Sequence, residues 1–184
     1  MSTAPRHAAG PELPAAAARG PVIVVMGVSG SGKTTVGAAL AGRLGVRYAD
    51  ADDFHPAANI AKMSAGTPLD DADRRPWLAA IAAWMGGHRT AGGVVSCSAL
   101  RRRYRDVLRS QATDAVFLHL SGSPEVVARR VAGRPAHFMP AALVRSQFET
   151  LEPLAQDERG IALPLDLPVD RIMAQFLAWL AREP

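Results

Sequence analysis

The sequence predicts a single α/β domain built on a five-stranded parallel sheet flanked by helices. Two patterns carry that expectation: short apolar runs rich in β-branched residues, and between them stretches whose apolar residues recur at helical spacing. Strands buried on both faces read as continuous apolar runs, and their alternation with amphipathic helices marks parallel crossover units. A chain of 184 residues has the length of one domain, with room for a small inserted subdomain.

Residues 1–20 are rich in Ala, Pro and Gly without an apolar period, and are expected to form a disordered tail ahead of a domain over 21–184. Pro21 opens the first strand, 22–26, which Gly27 closes; a helix follows from Lys33 to about Leu44. A short second strand, 46–49, runs into the acidic residues Asp50, Asp52 and Asp53, and 54–73 read as irregular. Trp77, Leu78, Ile81, Trp84 and Met85 then recur at helical spacing. The runs 94–97 and 115–120 supply the third and fourth strands. Ser123-Pro124-Glu125 is a helix start, with a capping serine, a proline at the first helical position and an acid in the first turn. The run 161–165 is the fifth strand, and Val169, Ile172, Met173, Phe176, Leu177 and Leu180 trace the apolar face of a closing helix.

Composition narrows the function. Hydrophobic residues make up 48% and charged residues 21%, which is globular composition. The single cysteine, Cys97, excludes an intramolecular disulfide and every multi-cysteine zinc site, and it reads as a small packing residue. No apolar run reaches the ~18 residues of a membrane span, and the N-terminus lacks the apolar core of a secretory signal, so a cytoplasmic protein away from membranes is expected. Net charge is +4, but aromatic residues are only 5%, which argues against a nucleic-acid binder that stacks bases. Of 21 cationic residues only Lys33 and Lys62 are lysine, so positions that keep lysine stand out.

Gly27-Val28-Ser29-Gly30-Ser31-Gly32-Lys33-Thr34 fits G-x-x-x-x-G-K-[ST] throughout and lies between a buried strand and a helix. Glycines let successive backbone N–H groups turn inward around phosphate oxygens, and the helix N-terminus adds partial positive charge. The loop and the adjacent Thr35 are therefore the expected ATP site, with Lys33 on the β- and γ-phosphates and the Thr34 hydroxyl on Mg²⁺. Asp50 and Asp52 follow the second strand, where open α/β sheets place ligands. One carboxylate can hold metal-bound water while the other accepts a proton from an attacking hydroxyl; Asp50 is assigned the metal and Asp52 the hydroxyl.

From here the chain resembles the gluconokinase family. The resemblance rests on Asp50-x-Asp52-x-x-His55-Pro56-x-x-Asn59-x-x-Lys62-Met63, Gly66-x-Pro68-Leu69 and Asp73-Arg74-x-Pro76-Trp77. It continues through Cys97-Ser98-Ala99-Leu100, Tyr104-Arg105-Asp106, His137-Phe138-Met139 and Ser146-Gln147-Phe148-Glu149-Thr150-Leu151-Glu152. It implies a P-loop kinase fold similar to shikimate and nucleoside monophosphate kinases, with a small mobile lid over about 129–142. It also implies transfer of the ATP γ-phosphate to the 6-hydroxyl of D-gluconate with Mg²⁺, and the family precedent leans towards a homodimer. Gluconate is a carboxylate with five hydroxyls. Arg74 and Arg105 are the candidates for its carboxylate, and His55, Asn59, Lys62, His137 and Gln147 for polar contacts. Arg134 from the lid is expected to offset charge on the group in transfer, and Arg129 to contact the nucleotide. Arg101, Arg102 and Arg103 read equally well as a solvated helix face, and His119 as a core or strand-end histidine. The rival readings are a shikimate- or nucleotide-type kinase of the same fold and a nucleotide-binding regulatory module without turnover. The run from His55 to Trp77 argues against the first, and intact Lys33, Thr34, Asp50 and Asp52 against the second.

Overall fold

Strand β1 (Gly20–Met26) is the centre of the computed structural model, which describes residues 20–132 and 141–183. With β2 (Arg47–Asp50), β3 (Ala91–Ser96), β4 (Val116–Ser121) and β5 (Gly160–Pro164) it forms a sheet in the order β2-β3-β1-β4-β5, parallel at every pairing. The chain builds the β2–β3 side first and then crosses β1 to build the other. That reversal opens a crevice at the carboxyl end of β1.

Alternation along β1 sends its side chains to two cores. Ile23 and Val25 pack with Val94, Val116 and Leu118 against Val36 and Leu40 of α1 (Lys33–Leu44) and Ile172 and Phe176 of α7 (Val169–Leu180). Val22, Val24 and Met26 pack with Val95 and Phe117 on the other face. They meet Trp77, Leu78, Ile81 and Met85 of α3 (Asp71–Gly87) and Tyr104 and Leu108 of α4 (Arg102–Arg109). Burial on both faces explains why these strands lack the period of a half-exposed sheet. Among the described residues no helix is long and apolar enough to cross a membrane.

Most elements fall where the sequence places them, with a few differences. Gly20 already pairs in β1, donating its N–H to Thr90 O at 3.0 Å; the rest of the expected tail, 1–19, lies outside the described residues. Strand β3 begins at Ala91, earlier than expected, through Gly92 and Gly93, whose lack of side chains hides a strand. The stretch expected to be irregular contains α2 (Ala57–Ser64). This helix turns Asn59 inward and leaves Ile60 and Met63 exposed, so no apolar stripe announces it. The remaining helices are α5 (Pro124–Ala132) and α6 (Ala141–Thr150).

Two glycines of α1 make opposite demands. A Cβ on Gly37 would lie 2.6 Å from Ser96 Oγ and 2.9 Å from the Tyr48 ring, whereas one on Gly42 meets nothing within 4 Å. Gly37→Ala should therefore destabilise the protein by about 1–3 kcal/mol through overpacking. Gly42→Ala should stabilise it by about 0.4–1 kcal/mol by restricting the unfolded chain. Chemical denaturation of both variants checks the opposed signs.

Candidate active site

The glycine-rich loop leaves β1 and enters α1. Gly27, Gly30 and Gly32 have φ of 141°, 82° and 96°, in the region that side chains disfavour. A Cβ at Gly27 would also come within 2.8 Å of Leu120 O, so the loop abuts the end of β4. Val28 is buried beneath the loop, Ser29 and Gly30 lie at its rim, and Thr35 is exposed in the first turn of α1. The Ser31 hydroxyl is buried and, among the described residues, has no hydrogen-bond partner. Lys33 folds back to donate to Val28 O at 2.9 Å. Burial pulls its pKa below the ordinary value, against the opposing pull of Asp52 and Asp50. Three left-handed glycines, an orphan hydroxyl and a partly desolvated ammonium together suit a phosphate chain.

Thr34 and Asp50 meet, with Thr34 Oγ1 donating to Asp50 Oδ2 at 3.0 Å. The carboxylate has a second task, because its Oδ1 accepts from Asp52 N–H at 3.1 Å and caps the 3₁₀ turn Ala51–Phe54. Tyr48 OH lies 3.2 Å from Asp50 Oδ2 and 2.9 Å from Ser96 Oγ, and Ser96 in turn donates to Lys33 O at 2.9 Å. These hard oxygens, fixed by their neighbours, are the donor type Mg²⁺ prefers.

Asp52 is exposed at the same end of the sheet. His55 stacks on Trp77 with ring centres 4.6 Å apart and planes 6° from parallel, and Trp77 Nε1 donates to Ala51 O at 2.6 Å. Burial holds the His55 pKa below its usual value, and the charges of Asp52 and Arg74 both reach the ring. Asp52, His55 and Arg74 thus gather on one side of the loop. Arg74 lies over the Tyr104 ring at 5.8 Å and only 4.0 Å from Asp71, so its guanidinium is loosely held.

Other expected substrate contacts are spent inside the protein. Asn59 is buried and donates to Asp73 O at 2.9 Å, and Lys62 pairs with Asp73 and Asp70. Asp70 and Asp73 form the reciprocal cap of α3. These residues therefore build the platform that carries His55 and Arg74. Gln147 accepts from Ser29 N–H through Oε1 at 2.6 Å, on the phosphate loop itself.

Arg105 requires a correction. It is wholly buried, with Nε and Nη2 on the two oxygens of Glu158 at 2.6 and 2.8 Å. Nη1 meets the carbonyls of Ala99, Leu100 and Glu152 at 3.1, 3.4 and 3.0 Å, and Nη2 also meets Pro153 O at 3.1 Å. A guanidinium has five N–H donors, and all are used. Nothing remains for a substrate carboxylate.

Of the paired arginines of α5, Arg130 lies beside the loop, with Nη1 3.5 Å from Ser31 O and 3.6 Å from where a Gly32 Cβ would sit. Its sequence signal is spacing, three residues after buried Val127 and four after half-buried Val126. The charge of Arg129 acts instead on Glu125. Arg134 and His137 lie outside the described residues. Cys97 is buried, which pushes its thiol pKa up to about 12, and His119 is buried inside β4.

Breaking the Arg105–Glu158 pair should therefore cost stability rather than substrate affinity. Arg105→Lys or Glu158→Gln is expected to lose about 3–5 kcal/mol, because one partner is left buried and uncompensated. Burial raises the Glu158 pKa, but hydrogen bonds from Arg105 and Ala155 N–H hold it below its ordinary 4.5. Its contribution is thus full above that value and fades as pH falls through the lower folded-state pKa. Urea titrations of wild type and Glu158→Gln between pH 7 and pH 3 check both the loss and its convergence in acid.

The shikimate kinase family model matches residues 29–174. A probable gluconokinase from Xenopus tropicalis is 44% identical over 84% of this chain and 90% of its own length. A gluconokinase from Gluconobacter oxydans is 44% identical over 84% of this chain and 88% of its own. The crystal structure of a gluconokinase from Sinorhizobium meliloti 1021 is 47% identical and superposes with a TM-score of 0.81, covering 88% of this chain and 92% of that one. Relatives of this similarity over nearly their whole length, with the family-model match, place the chain in the gluconokinase family of P-loop kinases, allied to the shikimate kinases.

Proposed function

We propose that this chain transfers the γ-phosphoryl group of ATP to the 6-hydroxyl of D-gluconate, giving 6-phospho-D-gluconate and ADP. The observation that carries this reading is the gathering of Asp52, His55 and Arg74 on the β2–β3 side of the phosphate loop. A recess of about 410 Å³ lies on the opposite side, at the carboxyl ends of β4 and β5, lined by Ser121, Gly122, Ser123, Val126, Pro164 and Asp166. On this reading the sugar-acid acceptor occupies the β2–β3 flank of the transferring phosphate and the nucleotide base the other, a division that the sheet order and the recess support.

The loop N–H groups and Lys33 hold the phosphates, and Arg130 lies over the loop beside Ser31 and Gly32. Thr34 and Asp50 would hold Mg²⁺, which when bound neutralises charge on the β- and γ-phosphate oxygens. Asp52 accepts the proton of the 6-hydroxyl or orients it as the hydroxyl oxygen bonds to the γ-phosphorus and the bridging P–O bond breaks. His55, kept neutral by burial, can donate and accept hydrogen bonds along the polyol. Arg74 takes the carboxylate, the task that Arg105 cannot perform. From the family resemblance, Arg134 offsets charge on the group in transfer and His137 contacts the substrate.

A coupled ADP-release assay over gluconate, glucose, shikimate and nucleoside monophosphates tests the reading. Gluconate should be the best acceptor and glucose worse by at least ~10²-fold, because it leaves the cation without a partner. Faster turnover of shikimate or a nucleotide would overturn it. Arg74→Lys should raise the KM for gluconate about ten- to a hundred-fold and that for ATP little, since a point charge cannot reproduce two parallel hydrogen bonds.

Asp52→Asn should cost kcat while ATP affinity stays near that of wild type, because the cradle is untouched. Calorimetric titration with ATP alongside steady-state rates checks it; a collapse of ATP binding would move Asp52 to the metal.

A further inference from the structure

We infer that Gln147 is a catalytic residue that holds the rim of the phosphate loop with its carboxamide oxygen and offers its NH₂ group to the phosphoryl group in transfer. The inference deepens the proposed kinase reaction and rests on it, but not on gluconate being the acceptor. It starts from a contact spanning 118 residues of sequence, in which Gln147 Oε1 accepts the Ser29 N–H at 2.6 Å. A backbone N–H can only donate, so the carboxamide orientation is fixed: oxygen towards Ser29, and the two NH₂ hydrogens away from it. Among the described residues no hydrogen bond uses that NH₂ group, on a side chain that is only partly exposed.

The side chain is carried on a braced element. Val144 of α6 is buried, and Phe148 and Leu151 pack against the same core, which places Gln147 on the margin of the packed face. The end of the helix is tied down where Glu152 N–H donates to Leu100 O at 2.7 Å and Glu152 O accepts from Arg105. Ser29 itself sits at the rim of the cradle, not beneath it. A neutral donor held there can satisfy an oxygen of the moving phosphoryl group without adding charge that would compete with Lys33 or Mg²⁺. Phosphoryl transfer depends on donors of this kind, placed before the reaction begins. The side chain therefore serves the group that leaves ATP, and has no partner on ADP.

The test uses the full chain and whichever acceptor the wild type turns over fastest, so that failure of the gluconate assignment leaves it standing. Gln147→Ala should lower kcat about 10²-fold, the scale of removing one transition-state donor, while the Kd for ADP changes less than about three-fold. Gln147→Glu keeps an acceptor for Ser29 N–H but has no NH₂, and should lose kcat to at least the same degree. Near-normal kcat in the Ala variant would overturn the inference. So would near-normal kcat in the Glu variant, which would leave the Ser29 contact as the whole role. Loss of ADP affinity in step with kcat in the Ala variant would also overturn it, since Gln147 would then shape the cradle rather than serve the transferring group. Thermal melts of both variants confirm that the folded protein is being compared.

Discussion

The arrangement at the mouth of the sheet hangs on one buried guanidinium. Arg105 joins three segments distant in sequence: the loop after β3 through Ala99 and Leu100, the end of α6 through Glu152 and Pro153, and Glu158 ahead of β5. Each carbonyl it satisfies belongs to backbone outside regular hydrogen-bonded structure, where a buried acceptor left alone is costly. Ala99 itself stands at φ 45°, a conformation that a non-glycine residue holds only when its surroundings dictate it. Through these ties the guanidinium fixes the loop whose Ser98 O accepts the Gly27 N–H, and the helix whose Gln147 meets Ser29. A residue that reads as a substrate ligand is instead a tie between segments of the fold.

Sheet order does the rest. The phosphate loop emerges from the central strand and is served from both flanks. On the β2 side, Asp50 shares its two oxygens between Thr34 and the turn that carries Asp52. Tyr48 and Ser96 link that carboxylate to the first carbonyl of α1, in space that exists only because residue 37 is glycine. One carboxylate thus caps the turn with one oxygen and receives the Thr34 hydroxyl on the other.

The strands and most helices were legible because their signal is hydrophobic and local. The phosphate loop was legible because its chemistry needs glycines, lysine and a hydroxyl at fixed spacing. What escaped were features made by polar side chains meeting across the fold. Helix α2 is seated by Asn59 and Lys62 rather than by Ile60 and Met63, so its apolar residues face the wrong way for a periodicity argument. The Asp70–Asp73 cap uses aspartate where glutamate is the commoner partner, which hid the start of α3. The role of Arg105 depends on Glu158, 53 residues on, and no local pattern pairs them.

The choice between the two cations follows the same geometry. Arginine stands where a fork meets a carboxylate edge on: Arg105 on Glu158, and Arg102 on Asp157 with Nη1 and Nη2 at 2.8 and 2.7 Å, a contact that pulls the Asp157 pKa down to about 2. Lysine survives at two places where a fork does not fit. Lys62 sits between two carboxylates of one helix cap, so a single ammonium must answer both. Lys33 lies within a loop narrow enough for its ammonium to reach Val28 O at 2.9 Å, where a planar guanidinium would crowd the backbone N–H groups meant for phosphate. In a chain that otherwise uses arginine, lysine therefore marks the sites where a compact, rotatable charge is the physical requirement.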